Sequence, residues 1–179
     1  MQRSRSRPSK PLSLRPSTVT KEVEAILQDF RLHNVPSHLV RRAHFKAEEL
    51  FAKTFPNEFV TPRQKAALVL LYQNPGLNQN MLSEYLVMDR NTVTEMIRRM
   101  ISSELIERKR SITDARSYQL FVASAGMALL NRVMPLDASV EDAFLAPLPE
   151  EYRDIFVKCL HLIAKDGAKV VASEESTKS

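Results

Sequence analysis

Residues 77–126 constrain the fold more than any other part of this chain. Two short stretches with a helical spacing of apolar residues are followed by a basic strand-like segment, a short charged loop and a second strand-like segment. Glycine is scarce, with 3 in 179 residues, which favours helices over a strand-rich fold that needs more turns. We therefore expect a mainly α-helical domain in which one β-hairpin follows a pair of helices.

The two helical stretches are predicted to have distinct apolar and polar faces. Asn78 and Asp89 are suitable N-caps for them. Apolar residues at helical spacing are predicted to be buried: Met81, Leu82, Tyr85 and Leu86 in the first helix, and Val93, Met96, Ile97, Met100 and Ile101 in the second. The opposite face of the second helix then carries groups that suit base edges and phosphates: Arg90, Asn91, Thr92, Thr94, Glu95, Arg98 and Arg99.

The segment after these helices is predicted to form a basic hairpin. Residues 105–111 and 117–122 have strand character and enclose a loop at 112–116. Between positions 98 and 116, six basic residues, including Arg110, stand against three acidic residues, a local net charge of +3. A helix pair (about 77–102) followed by a basic wing (about 105–122) is typical of a winged helix-turn-helix, a module that commonly binds duplex DNA.

The overall charge of +5 says less about DNA than this local patch does. Residues 1–21 contain six basic residues and no acidic residue, which leaves 20 basic against 21 acidic residues elsewhere. We expect residues 1–18 to be a disordered basic tail that either adds weak, salt-sensitive attraction to nucleic acid or only keeps the chain soluble. Residues 19–168 are expected to form one domain, followed by a flexible tail at 169–179.

Helices are also predicted on both sides of the opening segment. Residues 23–30 form a short amphipathic pattern, and Ser37 is a suitable cap for a longer helix to residue 54. Thr61, Pro62 and Gln64 form a capping box that begins a helix of residues 62–73. Ser124 is expected to cap a long helix that continues past a proline at 135, and a last helix follows Pro149 to about residue 165.

Two stretches of sequence resemble a known family of regulators. Residues 113–126, TDARSYQLFVASAG, are similar to the wing and following helix of the MarR family (multiple antibiotic resistance regulators), and residues 74–110 are similar to its helix pair. The resemblance covers about residues 37–165. Ala123 stands where the family usually has threonine, which is why we expect the helix cap at Ser124.

The resemblance implies a homodimeric, double-stranded DNA-binding repressor that recognises a palindromic operator. Residues 19–54 and 124–168 would form the dimerisation region, with the helix of residues 90–101 in the major groove. By resemblance, Arg116 contacts DNA at the wing tip and Asp114 orients it, while Asn91, Thr92, Thr94 and Arg98 are the foremost helix contacts. Two alternatives stay open: pairing of Arg98 and Arg99 with Glu95 or Glu104 at the surface, and an Asp114–Arg116 pair that only stabilises the hairpin.

The resemblance also implies a small-molecule effector, often an aromatic acid or phenol, that releases the protein from DNA. Residues 39–51, LVRRAHFKAEELF, resemble the first helix of members that control the breakdown of aromatic compounds. Arg41, Arg42 and His44 are predicted to neutralise a ligand carboxylate, and Phe45 and Tyr72 to provide stacking surfaces. A hydrogen-bonded histidine at the dimer interface is the alternative for His44.

Several other classes of protein are disfavoured by the sequence. No glycine loop for phosphate, nucleophile elbow or zinc-protease motif is present, so we expect neither an enzyme nor a cofactor, and the four histidines lack metal-ligand spacing. No apolar run approaches the roughly 20 residues that span a bilayer, so we expect a cytoplasmic protein. The single cysteine, Cys159, lies at helical spacing with apolar residues and is expected to be buried. A winged-helix dimer that serves mainly as a protein-interaction module is the alternative function.

Overall fold

The computed structural model describes residues 19–110 and 117–164. It divides into two compact units, Met1–Arg42 and Ala43–Ser179. The described part is mostly helical and contains one two-stranded antiparallel sheet, which confirms the predicted fold class. No helix in it is both long enough and apolar enough to cross a membrane. The elements are α1 (Lys21–Asp29), a 3-10 turn (Leu32–Asn34), α2 (Pro36–Thr54), α3 (Pro62–Gln73), α4 (Gln79–Tyr85), α5 (Arg90–Ser102), β1 (Ile106–Arg110), β2 (Tyr118–Val122), α6 (Ser124–Leu145) and α7 (Glu150–Ala164).

The first unit contains α1, the 3-10 turn and the beginning of α2. Thr20 caps α1, because its hydroxyl oxygen accepts a hydrogen bond from the backbone N–H of Val23 at 3.4 Å. The predicted short amphipathic helix is confirmed, but no residue of α1 is buried. Ile26 and Leu27 are 60% and 58% exposed. An isolated helix of this length is only marginally stable in water, so packing of its apolar face against another surface would stabilise α1.

The core of the second unit is built from α3, α5, the hairpin and α6. The capping box at the start of α3 is present in both directions, with Gln64 N–H donating to the Thr61 hydroxyl at 3.2 Å and Thr61 N–H donating to the Gln64 side chain at 2.9 Å. Leu68 of α3 and Met100 of α5 are fully buried, as is Val93. Each such side chain stabilises the fold by about 1.5–3 kcal/mol relative to an exposed position.

The hairpin is anchored to the corner between α3 and α4. Its strands pair from Ile106 opposite Val122 to Arg110 opposite Tyr118. On the other edge of β2, Gly76 N–H donates to the Leu120 carbonyl at 3.0 Å, and Leu120 N–H donates to the Leu77 carbonyl at 2.9 Å. Gly76 has a φ of +89°, a conformation that other residues rarely adopt. The corner is therefore hydrogen-bonded to the free edge of the hairpin.

The start of α6 corrects one prediction. Ser124 does not cap the helix; it is the first helical residue, and the N-cap position belongs to Ala123, which makes no side-chain capping bond. Ala123 occupies the extended conformation that a cap needs, and its N–H donates to the Leu105 carbonyl at 3.1 Å. The helix does continue through Pro135, as predicted.

Five burial predictions are also corrected. Met81 is 41% exposed, and Tyr85, Leu86 and Ile101 are only partly buried against the core. The prediction that Cys159 is buried is wrong: the thiol is exposed, since α7 has no buried residue in the described part of the chain. The predicted tails and the hairpin loop, residues 1–18, 169–179 and 112–116, lie outside the described residues, so those predictions are untested.

Candidate nucleic-acid interface

Side chains cap the beginnings of both α4 and α5, and the corner between the two helices is fixed by hydrogen bonds of Ser83 and Asp89. Asn78 accepts a hydrogen bond from Met81 N–H at 3.0 Å, and Asp89 accepts one from Thr92 N–H at 2.9 Å, as predicted for both caps. The buried Ser83 hydroxyl donates to the Met88 carbonyl at 2.6 Å, while Met88 N–H donates to the Ser83 carbonyl at 3.1 Å. These bonds set the direction in which α5 leaves the turn.

Helix α5 has one buried and one exposed face, as the sequence predicts. Val93, Met96, Ile97 and Met100 are buried in the core. The predicted polar residues all lie on the other side of the helix. Glu95 is partly exposed, and the remaining six are exposed: Arg90, Asn91, Thr92, Thr94, Arg98 and Arg99. Packing of the apolar face therefore determines which groups the helix presents to solvent.

The two threonine hydroxyls of this face already have partners. The Thr92 hydroxyl donates to the Asp89 carboxylate, and this hydrogen bond holds the pKa of Asp89 below its usual value. The Thr94 hydroxyl donates to the Arg90 carbonyl at 2.6 Å and accepts from the Gln79 amide at 2.5 Å. Both hydroxyls can therefore accept a further hydrogen bond but have no proton left to donate.

Arg98 forms a two-point ion pair with Glu95. Its Nε donates to Glu95 Oε2 at 3.1 Å, and its Nη2 donates to Glu95 Oε1. The pair lowers the pKa of the Glu95 carboxyl and raises that of the Arg98 guanidinium. The pairing that the sequence left open is thus present for Arg98. By contrast, the side chains of Arg90, Asn91 and Arg99 make no hydrogen bond or ion pair within residues 19–110 and 117–164.

A groove beside α5 includes a basic residue that the sequence analysis missed. It has a volume of about 480 Å³ and is bounded on one side by the first turn of α3, including Arg63, and on the other by Asn91, Thr92 and Arg99 of α5. Arg63 also lines an adjoining depression beside the α4–α5 corner. The capping box fixes where α3 begins and so places Arg63 in the first turn of that helix. The spacing of apolar residues does not show that this first turn lies beside α5, which is why Arg63 was not predicted.

The outer residues of β1 form an exposed, mostly basic row. The guanidinium of Arg108 lies 4.7 Å from the centre of the Tyr118 ring, and Lys109 lies 5.1 Å from that of Phe121. Arg110 is exposed at the end of the strand. The predicted tip residues Asp114 and Arg116 lie outside the described residues, so their roles remain predictions.

A cavity between α3 and α6 is large enough for a small aromatic molecule. Its volume is about 410 Å³, and it is lined by Val69, Tyr72, Gln73, Met127, Leu130, Asn131, Met134 and Pro135. Of the predicted ligand residues in the second unit, Tyr72 lines this cavity, whereas His44 and Phe45 do not. His44 instead lies 3.4 Å from the Glu48 carboxylate and beside the Phe45 ring.

The remaining predicted ligand residues, Arg41 and Arg42, belong to the first unit and are exposed. Their predicted contact with a ligand carboxylate is not tested. Among the described residues, no group of three or more histidine, cysteine or acidic side chains is arranged to hold a metal ion.

Comparison with known proteins identifies the family. The model of the MarR family matches residues 60–118, which contain α3 to α5 and β1. The transcriptional repressor CouR, in a structure bound to a 23-mer DNA duplex, superposes with a TM-score of 0.68 at 30% identity, over 74% of this chain and 94% of CouR. This chain belongs to the MarR family.

Other MarR relatives are also transcriptional regulators. HosA of Escherichia coli O157:H7 is 27% identical over 127 residues, covering 71% of this chain and 93% of HosA. The PcaV regulator of Streptomyces coelicolor, in complex with its natural ligand, has a TM-score of 0.70 at 27% identity, over 78% of this chain and 98% of PcaV. The chain is accordingly a MarR-type transcriptional regulator in a family whose members include ligand-bound regulators.

Proposed function

We propose that this protein is a homodimeric repressor that binds a palindromic DNA operator through α5 and the β1–β2 hairpin. The observation that carries the proposal is the division of α5 into two faces. One is a packed apolar face, and the other is a polar face on which the side chains of Arg90, Asn91 and Arg99 make no hydrogen bond or ion pair with the described residues. Cationic and amide groups on one exposed helix face match the phosphates and base edges of a major groove. Arg63 adds a cation beside this face, suited to a flanking phosphate.

The apolar surfaces of the terminal helices support a dimer. In α7, Ile155, Leu162 and Ile163 are 53%, 67% and 75% exposed, and no residue of that helix is buried within the described part of the chain. Exposed apolar patches of this kind mark interaction surfaces. A two-fold dimer would place its two α5 helices in major grooves about one DNA turn, or roughly 34 Å, apart.

The α3–α6 cavity supports release by a phenolic or other aromatic ligand. Tyr72 provides an aromatic ring and a hydroxyl, Met127 and Met134 provide adaptable apolar contacts, and Asn131 provides an amide. The described lining contains no cation, so a phenol suits this cavity better than a free carboxylate. Ligand-bound structures of relatives are consistent with this proposal, since PcaV was solved with its natural ligand and CouR with p-coumaroyl-CoA.

DNA binding is tested by electrophoretic shift of the region upstream of the gene. We expect nanomolar binding at low salt that weakens steeply as salt increases. Arg99→Ala should weaken binding, whereas Lys53→Ala is the matched control, because Lys53 is an exposed cation on α2 that is paired with Glu49. A folded dimer that shifts no duplex would refute the repressor proposal and favour a protein-interaction module.

Ligand control is tested by adding phenols, aromatic acids and aromatic thioesters to the protein–DNA complex. An active compound should release the duplex at a defined concentration. Tyr72→Ala should raise that concentration by about tenfold or more, equivalent to about 1.4 kcal/mol of binding free energy. Phe59→Ala is the control, since Phe59 is a fully exposed aromatic residue outside the cavity. Equal responses of the two variants would place the ligand elsewhere.

A further inference from the structure

The Glu95–Arg98 pair leaves a defined edge of the Arg98 guanidinium free. Arginine has five N–H donors in a plane, and Glu95 takes the edge formed by Nε and one hydrogen of Nη2. The remaining donors are the two hydrogens of Nη1 and the second hydrogen of Nη2. One hydrogen from each nitrogen points away from Glu95 in a parallel pair. Arg98 is 71% exposed at its side chain, so this pair is open to solvent.

Only one base presents two neighbouring acceptors to such a pair in the major groove. Guanine offers N7 and O6, whereas adenine offers an acceptor beside a donor, cytosine offers a donor, and thymine offers an acceptor beside a methyl group. A guanidinium that donates two parallel hydrogen bonds therefore distinguishes guanine from the other bases. A lysine ammonium at the same position would lack this fixed planar geometry.

We propose that Arg98, held in position by Glu95, reads a guanine at one symmetry-related position in each half of the operator. The proposal rests on DNA binding by α5 and adds the identity of a base to it. Glu95 is a positioning residue here: it fixes the plane of the guanidinium before DNA arrives. The paired carboxylate is also less repelled by the phosphates than a free carboxylate would be.

Arg99 provides the natural comparison within the same helix. It is exposed, lines the groove beside Arg63, and makes no hydrogen bond or ion pair with the described residues. Because no described residue holds its guanidinium in one plane, Arg99 suits phosphate contacts that carry little sequence preference. The two neighbouring arginines of α5 are thus expected to have different roles in DNA binding: Arg98 determines base preference, and Arg99 contributes affinity without base preference.

Selection of binding sites from random duplexes tests the proposal. The wild-type protein is expected to select a palindrome with a guanine at one position of each half-site. Arg98→Ala should lose the preference at that position and keep the others, whereas Arg99→Ala should bind all duplexes more weakly with unchanged preferences. Glu95→Gln should reduce the guanine preference without removing overall binding. Glu49→Gln, which removes an ion-paired carboxylate of α2, should leave the preferences unchanged.

A base analogue makes the test specific to the proposed contact. Replacing the selected guanine by 7-deazaguanine removes N7, and should weaken wild-type binding about fivefold or more while leaving Arg98→Ala binding unaffected. If the wild type selects a palindrome but Arg98→Ala keeps every preference, the guanine contact is refuted and the repressor proposal stands. If the wild type selects no sequence at all, the proposed function itself fails. Circular dichroism of each variant confirms that it is folded.

Discussion

Replacing Gly126 by alanine is expected to destabilise the protein, although alanine is the better helix former. Gly126 is buried in the first turn of α6, where a Cβ would lie 2.1 Å from the Leu105 carbonyl oxygen and 2.9 Å from a methyl carbon of Val122. The first of these is a backbone atom, so a change of rotamer cannot relieve the clash. Helix α6 and the segment before β1 would have to separate.

The Leu105 backbone is held on both sides, which makes this separation costly. Its carbonyl accepts the Ala123 N–H at 3.1 Å, and its own N–H donates to the Met100 carbonyl at 2.9 Å. Overpacking of this kind costs about 3 kcal/mol at the upper end of the usual range. Loss of one hydrogen bond adds about 1 kcal/mol. The higher helix propensity of alanine offsets about 1 kcal/mol of this cost, so the free energy of unfolding should fall by about 3 kcal/mol in total.

Urea denaturation at a fixed protein concentration measures this change, because the apparent stability of the proposed dimer would depend on concentration. The expected loss corresponds to a decrease in Tm of roughly 6–12 °C for a chain of this size. Gly126→Ser should destabilise the protein at least as much as Gly126→Ala. The control, Ala128→Ser, alters an exposed position of the same helix and should change stability by less than about 0.5 kcal/mol. An unchanged or higher stability for Gly126→Ala would refute the steric argument.

Asp137→Ala should lower the free energy of unfolding by about 1–3 kcal/mol in urea titrations, because the Lys65 ammonium, only 16% exposed, loses the carboxylate that lies 2.5 Å from it. The double variant Lys65→Met, Asp137→Leu should recover most of this loss, because it removes both charges together. The Thr92 hydrogen bond lowers the pKa of Asp89 in the folded protein below its usual 3.8, so the ionised carboxylate stabilises the fold fully at pH values well above 3.8. This stabilisation is lost as the pH falls through the lower folded-state pKa. In thermal unfolding, the difference in Tm between wild type and Asp89→Ala should therefore become smaller in acid. Arg63→Ala should weaken binding to all duplexes alike and reduce the slope of log K against log salt by about 1, whereas a change in base preference would contradict a phosphate contact.

The features that the sequence predicts well are those decided within a few neighbouring residues. The caps at Thr61, Asn78 and Asp89 form as predicted, because each depends on a side-chain oxygen and a backbone N–H three residues later. The division of α5 into two faces follows from helical geometry in the same way. Local chemistry therefore predicted where α3, α4 and α5 begin and which face of α5 is polar.

The features that the sequence did not predict depend on packing between distant segments. Ser124 has the side chain for a cap, but the backbone turns into a helix one residue earlier than that role requires. Cys159 has apolar neighbours at helical spacing, yet periodicity cannot say whether another surface covers that face. The position of Arg63 beside α5 depends likewise on the packing of α3, which no local pattern contains.

The hydrogen bonds between the α3–α4 corner and β2 connect the end of the α3–α6 cavity to the hairpin. Tyr72 and Gln73 line the aromatic-sized cavity, and the chain continues from them directly to Gly76 and Leu77, which bond to Leu120. Under the proposed function, a molecule that displaces the end of α3 would also move the hairpin, because the two are joined by the backbone and by these hydrogen bonds. The spacing between the hairpin and α5 would then change, and the two elements would no longer fit neighbouring grooves of the duplex at the same time.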